Sequence, residues 1–230
     1  TGVQTCALPI LWCVGDSFTA GLGAPENHTW WHKLSEAVKR PCINVSMDGA
    51  SNAWISRWAQ KIIHQTQAKT LVVHWSFTHR RERALKQIQD QIWQKFYSAV
   101  KDAEWPDCAS WWDIDKLPES IQKDLRQDPR TNCYTQGFDL ESLAKLHSAN
   151  TTVEQDIEHT VEAVQNLEKN KNGCQVIHSH IPKWHPTQLQ IDTGTWVKEF
   201  DQVDFARDGL HYDIKTAELL VNRILQVLEV

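Results

Sequence analysis

No stretch of about 18 uninterrupted apolar residues occurs in this 230-residue chain, which excludes an ordinary membrane-spanning helix. Excess positive charge is missing too. Lys and Arg number 24 against 29 Asp and Glu, and the net charge of −5 argues against broad attraction to nucleic acid or an anionic membrane, leaving only a local basic patch as an alternative. There is no CxxC pair. The scattered set Cys13, Cys42, Cys108, Cys133 and Cys174 fits reduced thiols better than a disulfide framework or a structural zinc site, with a single bridge as the alternative. The Walker P-loop, the GxGxxG turn and the GxSxG elbow are absent, which disfavours nucleotide-binding enzymes and the α/β-hydrolase fold.

The sixth cysteine, Cys6, lies in TGVQTCALPI (1–10), a string that matches a translated sequencing adapter and is expected to be foreign to the native chain. The native N-terminus, with any signal peptide, is then expected to be missing, so the sequence assigns no compartment. Tryptophan is the residue in excess. Its 12 copies include the adjacent pairs Trp30–Trp31 and Trp111–Trp112, which suit aromatic core packing first and an aromatic-lined cleft second. With 41% hydrophobic and 23% charged residues, the composition is that of one globular domain, expected over 11–230.

Short β-rich runs at 11–15 (LWCVG), 43–46 and 70–75 (TLVVHW) alternate with helix-like stretches. Residues 30–40 space Trp31, Leu34 and Val38 along one face, and 52–67 do the same with Ile55, Trp58, Ile62 and Ile63. A long helix is expected from Arg80 to about Lys101. From 103 to about 150 the pattern breaks around Pro106, Pro118 and Pro129, and this segment reads as an insertion. A further helix opens at Thr151, with Thr152 and Gln155 as a capping box, and runs towards Asn172-Gly173. QVIH (175–178) reads as a fourth strand, a weak fifth is signalled near Val203, and 214–228 closes the chain as a helix. Alternating strands and helices predict a mostly parallel sheet covered on both faces.

Gly15-Asp16-Ser17 falls where the first strand ends, and ligands bind at the carboxyl ends of such strands, so Ser17 is placed like a nucleophile. Read alone, the triplet is more simply a turn. Near the other end, Asp208 precedes His211 by three residues in a polar loop, an arrangement in which His211 can take the Ser17 proton while Asp208 fixes its tautomer. By itself that motif reads as a solvated loop.

Taken together, these blocks resemble the SGNH (GDSL) hydrolase family. VGDSFTAG (14–21) matches its nucleophile block at Ser17, and NVSMDGASN (44–52) matches the block whose glycine, here Gly49, supplies a backbone N–H to the oxyanion hole. DGLHYD (208–213) matches the block that carries Asp208 and His211. The resemblance implies a flavodoxin-like three-layer α/β/α sandwich and a carboxylic ester hydrolase working through an acyl-enzyme, with Ser17 and Gly49 N–H groups on the oxyanion. One block departs. Where the family has GxND, this chain has HWSFTHRRE (74–82), which resembles a variant of bacterial-virus proteins, W-S/T-x-x-x-R-x-E; GASNAWISR (49–57) fits the companion run G-x-S-N-x-x-I-x-R. The third oxyanion donor is then Ser76, Thr78 or Asn52, with Asn52 alternatively capping the helix that follows.

His178, His180 and His185 resemble a metal cluster by count but lack a carboxylate or thiolate at zinc-site spacing, so no metal and no cofactor is expected. His180 is placed to line the cleft, with Ser76, Trp111 and Trp112 as further substrate-binding candidates. Arg80, Arg81 and Arg83 either face an anionic group or pair with Glu82 and solvent. The aromatics of the insertion, Trp105, Trp111, Trp112, Tyr134 and Phe138, form either a specificity lid or a satellite cluster. The expected substrate is an acylated small molecule or carbohydrate, first an acetylated polysaccharide, with lipid esters, thioesters and acyl transfer behind it. The contrasting expectation is a non-catalytic virion or carbohydrate-binding module that keeps the fold.

Overall fold

The computed structural model describes residues 9–25, 27–78, 80, 108–110, 152–182 and 191–229. Six strands, β1 (Leu11–Gly15), β2 (Cys42–Ser46), β3 (Thr70–Trp75), β4 (Cys108–Ser110), β5 (Gln175–His180) and β6 (Thr195–Trp196), form one sheet in the order β4-β2-β1-β3-β5-β6. Every pairing is parallel. The helices are α1 (Ser17–Ala20), α2 (Trp30–Val38), α3 (Asn52–Thr66), α4 (Val153–Lys169) and α5 (Ile214–Leu225). This is a three-layer α/β/α sandwich.

β1, β2 and β3 are buried at every position, as a sheet covered on both faces requires. Alternation along the strands divides their side chains between two cores. Trp12, Val14, Ile43 and Val45 pack with Trp54, Ile55, Trp58 and Ile62 of α3 and with Val164 and Leu167 of α4. Leu11, Cys13, Cys42 and Val72 face the other way, against Trp30, Trp31 and Leu34 of α2 and Leu220, Val221 and Ile224 of α5. Trp12, Trp30, Trp31, Trp54, Trp58 and Trp75 are all core residues, so these copies are spent on packing. Cys13, Cys42 and Cys174 are free thiols, and the first two are hydrogen-bonded across neighbouring strands at 3.4 Å.

The capping box at the start of α4 is present: Gln155 N–H donates to Thr152 Oγ1 at 3.2 Å, and Thr152 N–H donates to Gln155 Oε1 at 2.9 Å. α4 ends at Lys169, just before Asn172 and Gly173 turn the chain at positive φ (48° and 77°). Two strands differ from expectation. β4 lies inside the stretch read as an insertion, and the last strand is at Thr195–Trp196 rather than near Val203, which is exposed. Strands this short cannot display a period of two, so only their partners reveal them. The helix expected from Arg80 to Lys101 and the rest of 103–150 fall outside the described residues, as do 1–8. Among the described residues no helix is long and apolar enough to cross a membrane.

Gly15 marks the tightest point of the sheet. A Cβ there would sit 2.1 Å from Thr19 Oγ1 and 3.1 Å from the His74 carbonyl, because α1 folds directly back over the strand end. Gly15→Ala is therefore expected to destabilise the fold by about 1–3 kcal/mol, the cost of overpacking, measured by urea denaturation with unchanged m-value.

Candidate active site

The chain leaves β1 at Gly15, turns at Asp16 and places Ser17 as the first residue of α1, at the carboxyl end of the strand. Asp16 caps this helix: its Oδ1 accepts from Phe18 N–H at 3.0 Å. Ser17 N–H occupies the first helical position, where a helix offers no acceptor of its own. Beside it, Met47 N–H donates to the Gly15 carbonyl (3.1 Å), and Ala50 N–H closes a turn on the Met47 carbonyl (3.0 Å). Gly49 sits third in that turn at φ +70°, a conformation that side chains resist.

The loop before α5 carries the acid and the histidine. Asp208 Oδ1 accepts from the N–H groups of Leu210 (2.9 Å) and His211 (3.0 Å), and Oδ2 accepts from His211 Nδ1 at 2.5 Å. Burial pushes the Asp208 carboxyl up, but the backbone N–H of His211, that of Leu210 and the imidazole together outweigh it and hold it at about 2. An ionised carboxylate only accepts, so Nδ1 carries the proton and the lone pair of the neutral ring is on Nε2. Nε2 is buried and has no hydrogen-bond partner among the described residues. The ring packs on Phe18 with centroids 4.6 Å apart, one residue from Ser17. The loop after α1 locks the two segments together: Arg207 N–H donates to the Gly23 carbonyl at 3.3 Å, and a Cβ on Gly23 would lie 3.0 Å from the Asp208 carboxylate. The pair of Asp208 and His211 is thus brought against Phe18, the residue next to Ser17.

Beneath Ser17 lies a second cluster. Asp16 is fully buried, and its Oδ2 accepts from Ser76 Oγ (2.6 Å) and from Arg80 Nη1 (2.8 Å). Arg80 Nη1 also reaches Ser76 Oγ (2.9 Å), and the guanidinium stacks over the Phe77 ring at 4.6 Å. Asn52 holds the Ser76 backbone from the other side: its Oδ1 accepts from Ser76 N–H (2.8 Å), and its Nδ2 donates to the Ser76 carbonyl (3.1 Å) and to Thr160 Oγ1 (3.0 Å).

These contacts revise two sequence expectations. Both amide hydrogens of Asn52 are committed, so it is not placed as an oxyanion donor, and Ser51 caps α3 instead, accepting from Trp54 N–H at 3.2 Å. Ser76 is 0% exposed and points its hydroxyl at Asp16 rather than at a substrate. Arg80 pairs with a buried carboxylate rather than with solvent, a role that the arginine-rich text hid. The one sequence signal for it was the W-S-x-x-x-R spacing, Trp75, Ser76 and Arg80. Arg81 and Arg83 lie outside the described residues.

The remaining candidates are dispersed. His180 is half-buried, donates from Nδ1 to the Ile181 carbonyl at 3.1 Å and lies 6.4 Å from the Trp196 ring. His178 is stacked on Trp196, lies nearly coplanar with Trp75 and accepts from its Nε1 at 3.0 Å, and therefore donates from Nε2 to Glu168 at 2.9 Å. Burial pushes its pKa down against the pull of Glu168, which suits a neutral ring held for packing. Among the described residues no group of three His, Cys, Asp or Glu could hold a metal ion. His185, Trp111 and Trp112 lie outside those residues. Thr78 is half-buried and lines, with Ser56, Arg57, Gln60, Arg80 and Asn166, a groove of about 440 Å³ between α3 and α4.

No family model and no curated protein matches the sequence. Solved structures do. TesA is 12% identical and superposes with a TM-score of 0.51 over 96% of this chain and 98% of its own. The acetyl xylan esterase Est2A from the rumen bacterium Butyrivibrio proteoclasticus is also 12% identical, with a TM-score of 0.48 over 95% of this chain and 64% of its own. The psychrotrophic esterase EstA from Pseudoalteromonas sp. is 13% identical, with a TM-score of 0.42 over 96% of each chain. At such identities the likeness is one of architecture: this chain has the α/β/α fold of TesA.

Proposed function

We propose that the chain is a carboxylic ester hydrolase with Ser17 as nucleophile, His211 as general base and Asp208 as the residue that orients it. The observation that supports this reading is the His211 imidazole packed on Phe18, the residue after Ser17, with its Nδ1–H bound to Asp208 and its Nε2 buried without a hydrogen-bond partner among the described residues. Ser17 Oγ attacks the acyl carbon while its proton passes to Nε2. The resulting oxyanion is held by the N–H groups of Ser17 and Gly49. Collapse of this intermediate breaks the ester bond, and the imidazolium returns its proton to the departing alcohol. A water molecule, deprotonated by Nε2, then attacks the acyl-enzyme, and the acid leaves as Ser17 recovers its proton.

The substrate class we propose is a small acyl group, such as acetate, on a carbohydrate. In support, the groove between α3 and α4 shares Arg80 with the Asp16 cluster and is lined by hydrogen-bonding side chains, among them Arg57, Gln60 and Asn166, that suit the hydroxyls of a sugar.

Ser17→Ala and His211→Ala are each expected to lower kcat/KM for p-nitrophenyl acetate by about 1,000-fold or more, and nearly equally, because the residues act as a unit. A fluorophosphonate should label Ser17 in the wild type and nothing in Ser17→Ala; a wild type that resists labelling would instead be a binding module. A panel of acetylated sugars against longer-chain esters tests the substrate class, with the sugars expected to give the higher kcat/KM.

Asp208 also predicts a pH dependence of stability. Its pKa is depressed from 3.8 to about 2, so its stabilising contribution is in place above 3.8 and is lost as pH falls through 2. The melting temperature of Asp208→Asn is expected to lie below that of the wild type at neutral pH, with the gap narrowing as both are acidified through that window.

A further inference from the structure

We propose that Arg80 is a positioning residue for the ester hydrolysis, acting through Asp16 to hold the Ser17 backbone in register with His211. The inference rests on the Ser17 reading given above and adds a residue outside the triad. Asp16 lies between the end of β1 and the nucleophile, and its two carboxylate oxygens do different work. Oδ1 accepts from Phe18 N–H and so sets the first turn of α1, which carries Ser17 and its N–H. Oδ2 is tied to the end of β3 by Ser76 Oγ at 2.6 Å and by Arg80 Nη1 at 2.8 Å. Nη1 further approaches the Ala50 carbonyl at 3.5 Å, next to Gly49. One nitrogen thus touches the nucleophile turn, the end of the third strand and the turn that carries the second N–H assigned to the oxyanion.

The guanidinium is fixed in turn. It stacks on Phe77, which meets Phe18 edge to face at 6.1 Å, and Phe18 carries the His211 ring on its other contact. The charge is needed as well as the shape. Burial drives the Asp16 carboxyl upward, and Arg80 is the strongest opposing influence, ahead of the Ser76 hydroxyl, the Phe18 N–H and His211. The remaining titratable neighbour, Tyr212, has its phenol pushed up by burial and by Asp16, so it brings no charge to offset the carboxylate. Burial still prevails, so the Asp16 carboxyl stands above its ordinary value, and Arg80 is the counter-charge that most favours the carboxylate form to which three donors are directed.

The test combines Arg80→Ala, Arg80→Lys, Asp16→Asn and the double variant Arg80→Ala/Asp16→Asn, with folding checked by circular dichroism and activity by p-nitrophenyl acetate hydrolysis across pH. Arg80→Ala is expected to lower kcat by about 100-fold with KM little changed, the scale of a small displacement of a reacting group. Its kcat should also gain a limb that rises with pH, because loss of the Arg80 charge pushes the Asp16 carboxyl, already raised by burial, further upward. Arg80→Lys should recover part of the rate, and the double variant should lose the added limb and be no slower than Arg80→Ala alone. Wild-type kcat in Arg80→Ala would overturn the proposal. So would a loss that neither lysine nor the second substitution relieves, with a pH profile parallel to that of the wild type, since that marks a merely structural residue. If the wild type neither labels with a fluorophosphonate nor hydrolyses esters, the Ser17 reading itself fails and this inference with it, an outcome distinct from either of those.

Discussion

A carboxylate with no solvent exposure is the constraint around which the carboxyl end of this sheet is organised. Asp16 cannot be ionised there without donors, and removing one partner of a buried ion pair costs about 3–5 kcal/mol in other proteins. Its donors come from α1 (Phe18 N–H), the end of β3 (Ser76) and the segment beyond it (Arg80). Asn52 at the start of α3 fixes the Ser76 backbone with a pair of hydrogen bonds. Strand, helix and loop ends that would otherwise be free to shift are pinned to one charged group. Ser17 follows that group directly, so the constraint passes to the proposed nucleophile through a single peptide.

Other buried polar groups are satisfied in the same pattern, by partners remote in sequence. His74 in the middle of the sheet spans Ser179 Oγ at 3.0 Å and Tyr212 OH at 3.1 Å, tying β3 to β5 and to the loop that carries His211. His178 is clamped by Trp75 and Glu168. Such chains are costly when incomplete and stiffening when complete. His211 Nε2 is one of several buried side-chain atoms that have no hydrogen-bond partner among the described residues, and in the proposed mechanism that vacancy has a use.

Much of the frame was legible in the sequence because it depends on local pattern. The apolar spacing of Ile55, Trp58 and Ile62 marked α3, the pair Thr152 and Gln155 marked the start of α4, and TLVVHW marked β3. The three blocks with Ser17, Gly49 and Asp208 to His211 were ordered as an α/β sandwich places them. β4 and β6 were not legible, since strands of three and two residues carry no period and exist only through their partners.

What the sequence determined by itself, then, is the alternation of strands and helices, the two-sided burial of the central strands and the residue types at the candidate site, all properties of neighbours along the chain. Tertiary structure alone decided how blocks spread over nearly two hundred residues are arranged at the end of the sheet, and it reassigned the polar residues among them. Asn52 and Ser76 had the chemistry to face an oxyanion or a substrate, yet each turns inward: the Ser76 hydroxyl is taken by the buried Asp16 carboxylate, and the Asn52 amide by the Ser76 backbone and Thr160. For Arg80 the sequence left open an anionic group or Glu82 and solvent, and the fold supplies the anionic group as Asp16. A buried charge and the partner that neutralises it are separated by 64 positions, and only the folded sheet brings them to 2.8 Å.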